Sequence, residues 1–358
     1  MPSTEIVEIS VGGTPYGGWK SMSVKMSARS PERTFQITGT IGDHGPAAAA
    51  MAINTSDPCT LTSNGDVLVN GRVHDIEIEI DEEKREIRIV GKSRGADAVK
   101  SSVDHKTHEW KKKDILEIAQ DVDSSGIGYT SDEQLKKLDK VRCNVGDTQM
   151  QALSKLANKQ GLWLVGDDSG GILITKHGKY RHGGGIAEGV NLKRGTAKFS
   201  AEDRMQKTKV KGHVPAGPGE KTWRFEEEAE DEGGRPGTVR VIVPKASMTK
   251  AEAKELAQNT AENRHGDSVS FDCTLQGFRD EGGQIWHAGW LVFCDVPSCR
   301  LSQDLAIDEI ELSQDEGQQG SLAKIKLVHP SALGAKSGGK GKKSVAKNGS
   351  GQEWDGLW

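Results

Sequence analysis

At 358 residues the chain is about twice the usual domain length, so two or three compact units are expected and one undivided fold is not. With 34% hydrophobic residues, 28% charged residues and 44 glycines, it reads as a turn-rich, strand-dominated globular protein, which excludes a helical bundle and a disordered chain. A formal net charge of −4 removes electrostatic support for specific or general nucleic-acid binding, and five scattered cysteines, Cys59, Cys143, Cys273, Cys294 and Cys299, argue against a disulfide framework.

Met1-Pro-Ser-Thr-Glu-Ile6 carries no basic and apolar run, and no stretch of about 18 apolar residues occurs, so neither a signal peptide nor a membrane span is expected. From Glu5 to about Gly95 apolar and polar residues alternate between turn signals. Ile76, Ile78 and Ile80 point one way and Glu77 and Glu79 the other, the pattern of a half-buried strand. Asn64-Gly65, between Cys59-Thr-Leu-Thr and Val67-Leu-Val, marks a hairpin. After Lys100 the period changes: Ile115, Ile118, Ala119 and Val122 recur at helical spacing until Gly126 and Gly128. A second helix starts near Asp147 or Thr148, carries Leu153, Leu156 and Ala157 inward and ends at Gly161. Leu162–Val165 and Ile172–Thr175 then form a hairpin across Gly166-Asp-Asp-Ser-Gly-Gly171.

Beyond a loose glycine stretch at Gly183-Gly-Gly185, strands resume at Lys207–His213 and Val239–Val243, and the acidic run Glu226 to Glu232 between them reads as a solvated loop. Thr249-Lys-Ala-Glu252 has capping-box spacing and opens a helix with Ala253, Leu256, Ala257, Thr260 and Ala261 on one face. Strands follow at Val269–Leu275, Trp290–Phe293, Leu305–Leu312 and Leu322–Val328. From Ser331 the chain turns to Gly, Lys and Ser before closing in Glu353-Trp-Asp-Gly-Leu-Trp358. Trp354, Leu357 and Trp358 could anchor in a partner's groove; a tail with no partner is the alternative.

The fold class expected is α+β, mainly β. Residues 1–99 and 183–330 each form a small antiparallel barrel-like unit, the latter with one inserted helix; 100–182 is a middle unit of two helices and a hairpin, and 331–358 is an arm.

The residues nominate little chemistry. His105, His108 and Glu109 run in the wrong order for a zinc-protease helix and read as a solvated turn. Cys294, Cys299 and His287 lack a fourth ligand for a metal, and Asp167–Gly171 lacks the alternating oxygens of a calcium loop. No Gly-x-Ser-x-Gly elbow is expected and no pair of carboxylates stands out, so neither a hydrolase triad nor a glycosidase pair is nominated, and no catalytic residue, cofactor or metal is expected. A tail-borne cell-wall hydrolase is accordingly the weaker alternative. A receptor- or carbohydrate-binding module stays open, because Trp110, Trp163, Trp223, Trp286 and Trp290 could stack on sugars as well as fill a core.

Three groups of strings carry a family resemblance. They are Gly71-Arg-Val-His-Asp-Ile76 with Ile87–Ser93 and Ala96-Asp-Ala-Val99; Val145–Ala157 with Gly161-Leu-Trp-Leu-Val165 and Gly171-Ile-Leu173; and Gly277–Trp286 with Val292–Asp295, Leu305–Ile310 and Leu327-Val-His-Pro330. Together, to about Pro330, they resemble the Mu-type phage tail protein family, related to baseplate hubs of contractile tails and to the base of type VI secretion spikes; Lys92 and Ala98 depart modestly. The resemblance implies a structural role in the virion's tail baseplate, after assembly in the host cytoplasm. It implies a homotrimer whose two similar barrels per chain present a sixfold face, with the tail tube above, the spike below and other baseplate or tape-measure proteins as possible neighbours.

Overall fold

The computed structural model describes residues 5–40, 52–82, 85–213, 224–244, 248–315 and 320–335. The expected fold class holds: strands dominate, and helices are few. The first stretch forms β1 (Val7–Val11), β2 (Thr14–Tyr16), β3 (Ser21–Ser27), β4 (Thr34–Thr40), β5 (Pro58–Ser63), β6 (Asp66–Ile80) and β7 (Arg85–Ser93). Asn64 and Gly65, at φ 50° and 88°, make the two-residue turn between β5 and β6, as that dipeptide favours.

A short helix, α1 (Gly95–Lys100), leads into β8 (Glu109–Lys113), α2 (Ile115–Val122), β9 (Tyr129–Ser131), β10 (Leu138–Arg142), α3 (Gln149–Asn158), β11 (Trp163–Gly166) and β12 (Ile172–Thr175). Both longer helices open with a reciprocal capping box, Asp114 with Glu117 and Thr148 with Gln151. Ile115, Ile118, Ala119 and Val122 meet Leu153, Ala157 and the β11–β12 hairpin in a core of their own. Thr148→Ala removes the acceptor of the Gln151 amide; a cost of about 1 kcal/mol is expected in urea unfolding followed by far-UV dichroism.

The remainder comprises β13 (Arg181–Ala187), β14 (Leu192–Phe199), β15 (Met205–His213), β16 (Arg224–Glu230), β17 (Arg235–Ile242), α4 (Lys250–Gly266), β18 (Val269–Gln276), β19 (Leu291–Val296), β20 (Leu301–Asp315) and β21 (Gly320–Val328). Among the described residues one thirteen-stranded sheet runs β14-β18-β21-β20-β3-β4-β7-β6-β5-β1-β2, with β19 also on β20 and β13 on β19. The two β units are therefore hydrogen-bonded to each other through β3 and β20, and their inward faces share one large hydrophobic core.

Four local expectations are corrected. The acidic run is not a loop: residues 224–230 are β16, antiparallel to β15. Its composition hides a period of two. Phe225 and Ala229 pack toward Val210 and the Ala253–Ala257 face of α4, while Glu226 and Glu230 reach Lys209 and Lys207 at 2.6 and 2.7 Å. The glycines at 183–185 are not loose either but lie in β13, parallel to β19. A methyl on Gly185 would come within 2.9 Å of the Phe293 carbonyl oxygen, so only glycine allows that approach. Ile78 and Ile80 are exposed, at 45% and 67%, because the β6–β7 hairpin extends past the edge of the core. Glu109 belongs to a strand rather than a turn; Arg142 and Lys140 hydrogen-bond its carboxylate and hold it down to about 2.

In β20 a bulge between 307 and 309 interrupts the alternation of faces. The phase flips there, so Ile307 and then Ile310 and Leu312 face the core, and Asp308 is left buried at the bulge, where Arg29 meets it at 2.8 Å.

Candidate assembly site at the junction of the units

β3 lies along β20 from Ser21↔Asp315 to Ser27↔Glu309, an antiparallel ladder that fixes the angle between the two β units. Met22, Val24 and Met26 alternate inward along it. Beside the ladder, Arg279 closes a second link. Its guanidinium reaches the buried Glu5 carboxylate at 3.1 Å and Asp66 at 2.6 Å, and donates to the carbonyls of Ser63 and Gly283. Glu5 also accepts from Ser63 Oγ and Asn64 Nδ2. Each guanidinium nitrogen and both Glu5 carboxylate oxygens have a partner there, the condition under which a buried ion pair holds geometry without orphaned charge.

The middle unit plugs onto both β units. The buried Arg33 side chain donates to the Leu68 and Gly166 carbonyls and to Asp168 at 2.8 Å, a fork that spans β6 and the β11–β12 turn. The contact is close: a methyl on Gly170 would fall 2.0 Å from the Asn70 carbonyl oxygen, and one on Gly166 2.5 Å from that of Pro31. On the other side the Gly178 amide donates to the Gly289 carbonyl of the second unit at 3.0 Å, while His177 Nε2 donates to the Ala28 carbonyl of the first at 2.9 Å and its ring rests on Trp163.

Burial drives the His177 imidazole from its ordinary 6.5 to about 4, against the pull of the Ala28 carbonyl. The folded chain thus refuses a proton that the unfolded chain accepts below about pH 6.5. The stability tied to this group is complete above that pH and is lost as pH falls toward 4, where both states are protonated. Wild type is expected to lose about 2 kcal/mol from this group between pH 7.5 and 5, and His177→Gln to lose correspondingly less, read from urea midpoints at the two pH values.

Next to this contact is a cleft of about 230 Å³ whose lining includes Arg33, Asp168, His177, Tyr180, His287 and Trp290. Behind it His182 is stacked among Trp286, His287 and Trp290. The His182–Asp280 pair, 2.9 Å apart, has the look of a base and its orienting carboxylate. However, His182 Nδ1 donates to Asp280 and Nε2 accepts from the His287 amide at 3.0 Å. Both ring nitrogens are spent, so the neutral ring is a buried brace with no lone pair for a substrate proton.

The expectation of no Gly-x-Ser-x-Gly elbow is corrected by the chain itself. Gly91-Lys-Ser-Arg-Gly95 has the Gly-x-Ser-x-Gly spacing and, with β7 before it and α1 after it, the strand–turn–helix context of a nucleophile elbow. Ser93 is nevertheless buried; its Oγ accepts from the Arg33 amide and donates to the Pro31 carbonyl, and among the described residues no imidazole is bonded to it. Its role is to tie β7 to the loop that carries Arg33. The cysteines are all free. Desolvation pushes the Cys59 and Cys273 thiols up to about 12, and Cys294 well above its usual range, so these are packing groups. Among the described residues no three His, Cys, Asp or Glu side chains are disposed to hold a metal ion, and no helix is long and apolar enough to cross a membrane. Of the tryptophans, Trp110 and Trp286 are buried and Trp163 and Trp290 partly so. Trp223 and the tail residues Trp354, Leu357 and Trp358 lie outside the described residues.

This architecture is that of phage-type tail proteins. The 43 kDa tail protein of prophage MuSo2 from Shewanella oneidensis shares it with a TM-score of 0.82 at 23% identity, over 92% of this chain and all of that one. The tail protein from Neisseria meningitidis MC58 does so at 0.78 and 15% identity, over 92% and 98%. Residues 6–93 match the model for the N-terminal part of the Mu phage baseplate assembly protein GpP-like family, and residues 95–176 match that for the second domain of gp44-like baseplate hub proteins. Baseplate hub protein gp44 of Escherichia phage Mu is 20% identical over 339 residues, 90% of this chain and 87% of that protein. Residues 6–93 and 95–176 thus match domains of baseplate proteins, and over most of its length the chain is similar to Mu-type baseplate hub proteins.

Proposed function

We propose that the chain is the central hub subunit of a tail baseplate, working as a homotrimer between a hexameric tail tube and a trimeric spike during tail assembly and genome ejection, and that its role is structural and not enzymatic. The observation that carries the reading is the β3–β20 ladder: it joins two β units in one sheet at a fixed angle, so three chains present six such units to a sixfold tube. For this role residues 1–99 and 183–330 serve as the two ring-forming units, and 100–182 as the plug that braces them. Open sheet edges support a ring: among the described residues β2, β14 and β17 are each paired on one side only, and Val239 and Val241 of β17 are about half exposed. The commitment of both His182 nitrogens and the burial of Ser93 favour a structural role over a hydrolytic one. The particle is assembled in the host cytoplasm and the hub stays in the virion.

Light scattering of the purified protein across concentration and salt tests the stoichiometry. The mass of three chains is expected; the mass of one chain at every concentration overturns the homotrimer while leaving the likeness to baseplate hub proteins untouched.

A further inference from the structure

A second cleft, away from the junction, opens in the middle unit between α2, α3 and β10, again with a volume of about 230 Å³. Its floor is apolar, with Val103, Val122, Val141, Leu153 and Leu156 in the lining. Its rim carries three cations, Arg142, Lys155 and Lys159, against one carboxylate, Asp147. Arg142 is matched by Glu109 at 2.6 Å and Lys155 by Asp147 at 2.7 Å, whereas the exposed Lys159 has no ion pair among the described residues. An apolar slot with one uncompensated cation at its mouth fits a short segment combining large apolar side chains with carboxylates. An engineered cavity of about 150 Å³ already takes a benzene ring, so this one has room for an indole.

The chain contains such a segment. Glu353-Trp-Asp-Gly-Leu-Trp358 alternates two carboxylates with Trp354, Leu357 and Trp358. We propose that residues 353–358 dock in the α2–α3 cleft of their own chain, an indole in the slot and Glu353 or Asp355 facing Lys159. Geometry favours the same chain. The described chain leaves the fold at Ala335, beside the middle unit: a methyl on Gly178 would meet Ala335 Cβ, and one on Gly334 would lie 3.8 Å from Trp163 Nε1. Trp163 is four residues from Lys159, so the exit is within about 15–20 Å of the rim along the chain. The intervening residues 336–352 are rich in Gly, Lys and Ser, and about seventeen residues of that kind span roughly 20–25 Å root-mean-square. The span and the gap match, the condition in which a tethered segment reaches a millimolar effective concentration.

Hydrogen exchange of the full-length protein tests this, comparing wild type with Trp354→Ala/Leu357→Ala/Trp358→Ala. Far-UV dichroism and the urea midpoint of both proteins check that the variant folds as the parent does. Amides of residues 141–145 and 153–160 are expected to exchange about tenfold faster in the triple variant, the occupancy given by an intrinsic Kd near 0.1 mM at millimolar effective concentration. Lys159→Glu, an exposed substitution, should raise exchange in the same peptides through the charge term alone. Equal exchange in wild type and the triple variant overturns the proposal. In a mixture of isotope-labelled wild type and unlabelled triple variant, protection confined to labelled peptides supports docking within one chain, and its transfer to unlabelled peptides overturns it in favour of a neighbouring copy.

Discussion

Arg279→Met is expected to lower the unfolding free energy by about 3–5 kcal/mol, the cost of leaving a buried carboxylate without its cation. The substitution keeps the length of the stem and removes the fork. Glu5, almost fully buried, then retains only the neutral donors Ser63 Oγ and Asn64 Nδ2, and the carbonyls of Ser63 and Gly283 lose their partner. Two comparisons isolate the cause. Arg88→Met breaks an ion pair of similar geometry, Arg88 to Glu77 at 3.3 Å, between side chains 49% and 70% exposed, and should cost less than about 1 kcal/mol. Glu5→Gln in the Arg279→Met background removes the stranded charge and should recover more than half of the loss. Urea unfolding of the four proteins decides the matter; equal losses for Arg279→Met and Arg88→Met would falsify the view that Arg279 is a buried clamp.

Gly71→Ala should be at least as damaging, about 3 kcal/mol or more, with a sharp fall in soluble yield. Gly71 lies in β6 between β5 and β7, opposite Cys59 on one side and Ser93 on the other. A methyl there would sit 1.8 Å from the Lys92 carbonyl oxygen and 2.7 Å from Ser93 Cα. Both are backbone atoms of a strand held on its far side by β4, so neither can move without breaking a ladder. The control is Gly17→Ala, whose methyl would meet nothing nearer than 4.0 Å and should change stability by less than about 0.5 kcal/mol. Thermal unfolding with soluble yield reports both, and a Gly71→Ala protein as stable as Gly17→Ala would remove the steric account of this motif. Gly71 opens one of the strings that carried the family resemblance, and the clash supplies a physical reason for glycine there.

The sequence by itself determined the mainly β class, the hairpin at Asn64-Gly65, the α2, α3 and α4 helices with the caps of α3 and α4, and the resemblance to Mu-type tail proteins. These are local signals, a period of 2 or 3.6 and a side chain able to close its own backbone's hydrogen bonds, and they can be read without knowing what packs against what. Only the tertiary structure decided that the acidic run is β16, since seven consecutive pairings with the Lys-bearing β15 turn a repulsive string into a ladder. It decided that the 183–185 glycines are a strand, since that depends on how close β19 comes. It decided that Ile78 and Ile80 face outward, because alternation defines two faces and cannot say where the core ends. The junction was the least legible part. Arg279 meets Glu5 across 274 positions of sequence, Arg33 meets Asp168 across 135, and β3 meets β20 across nearly the whole chain. The partners of a charged side chain, and whether burial makes it a clamp or an ornament, are set by contacts between distant segments that no local pattern encodes.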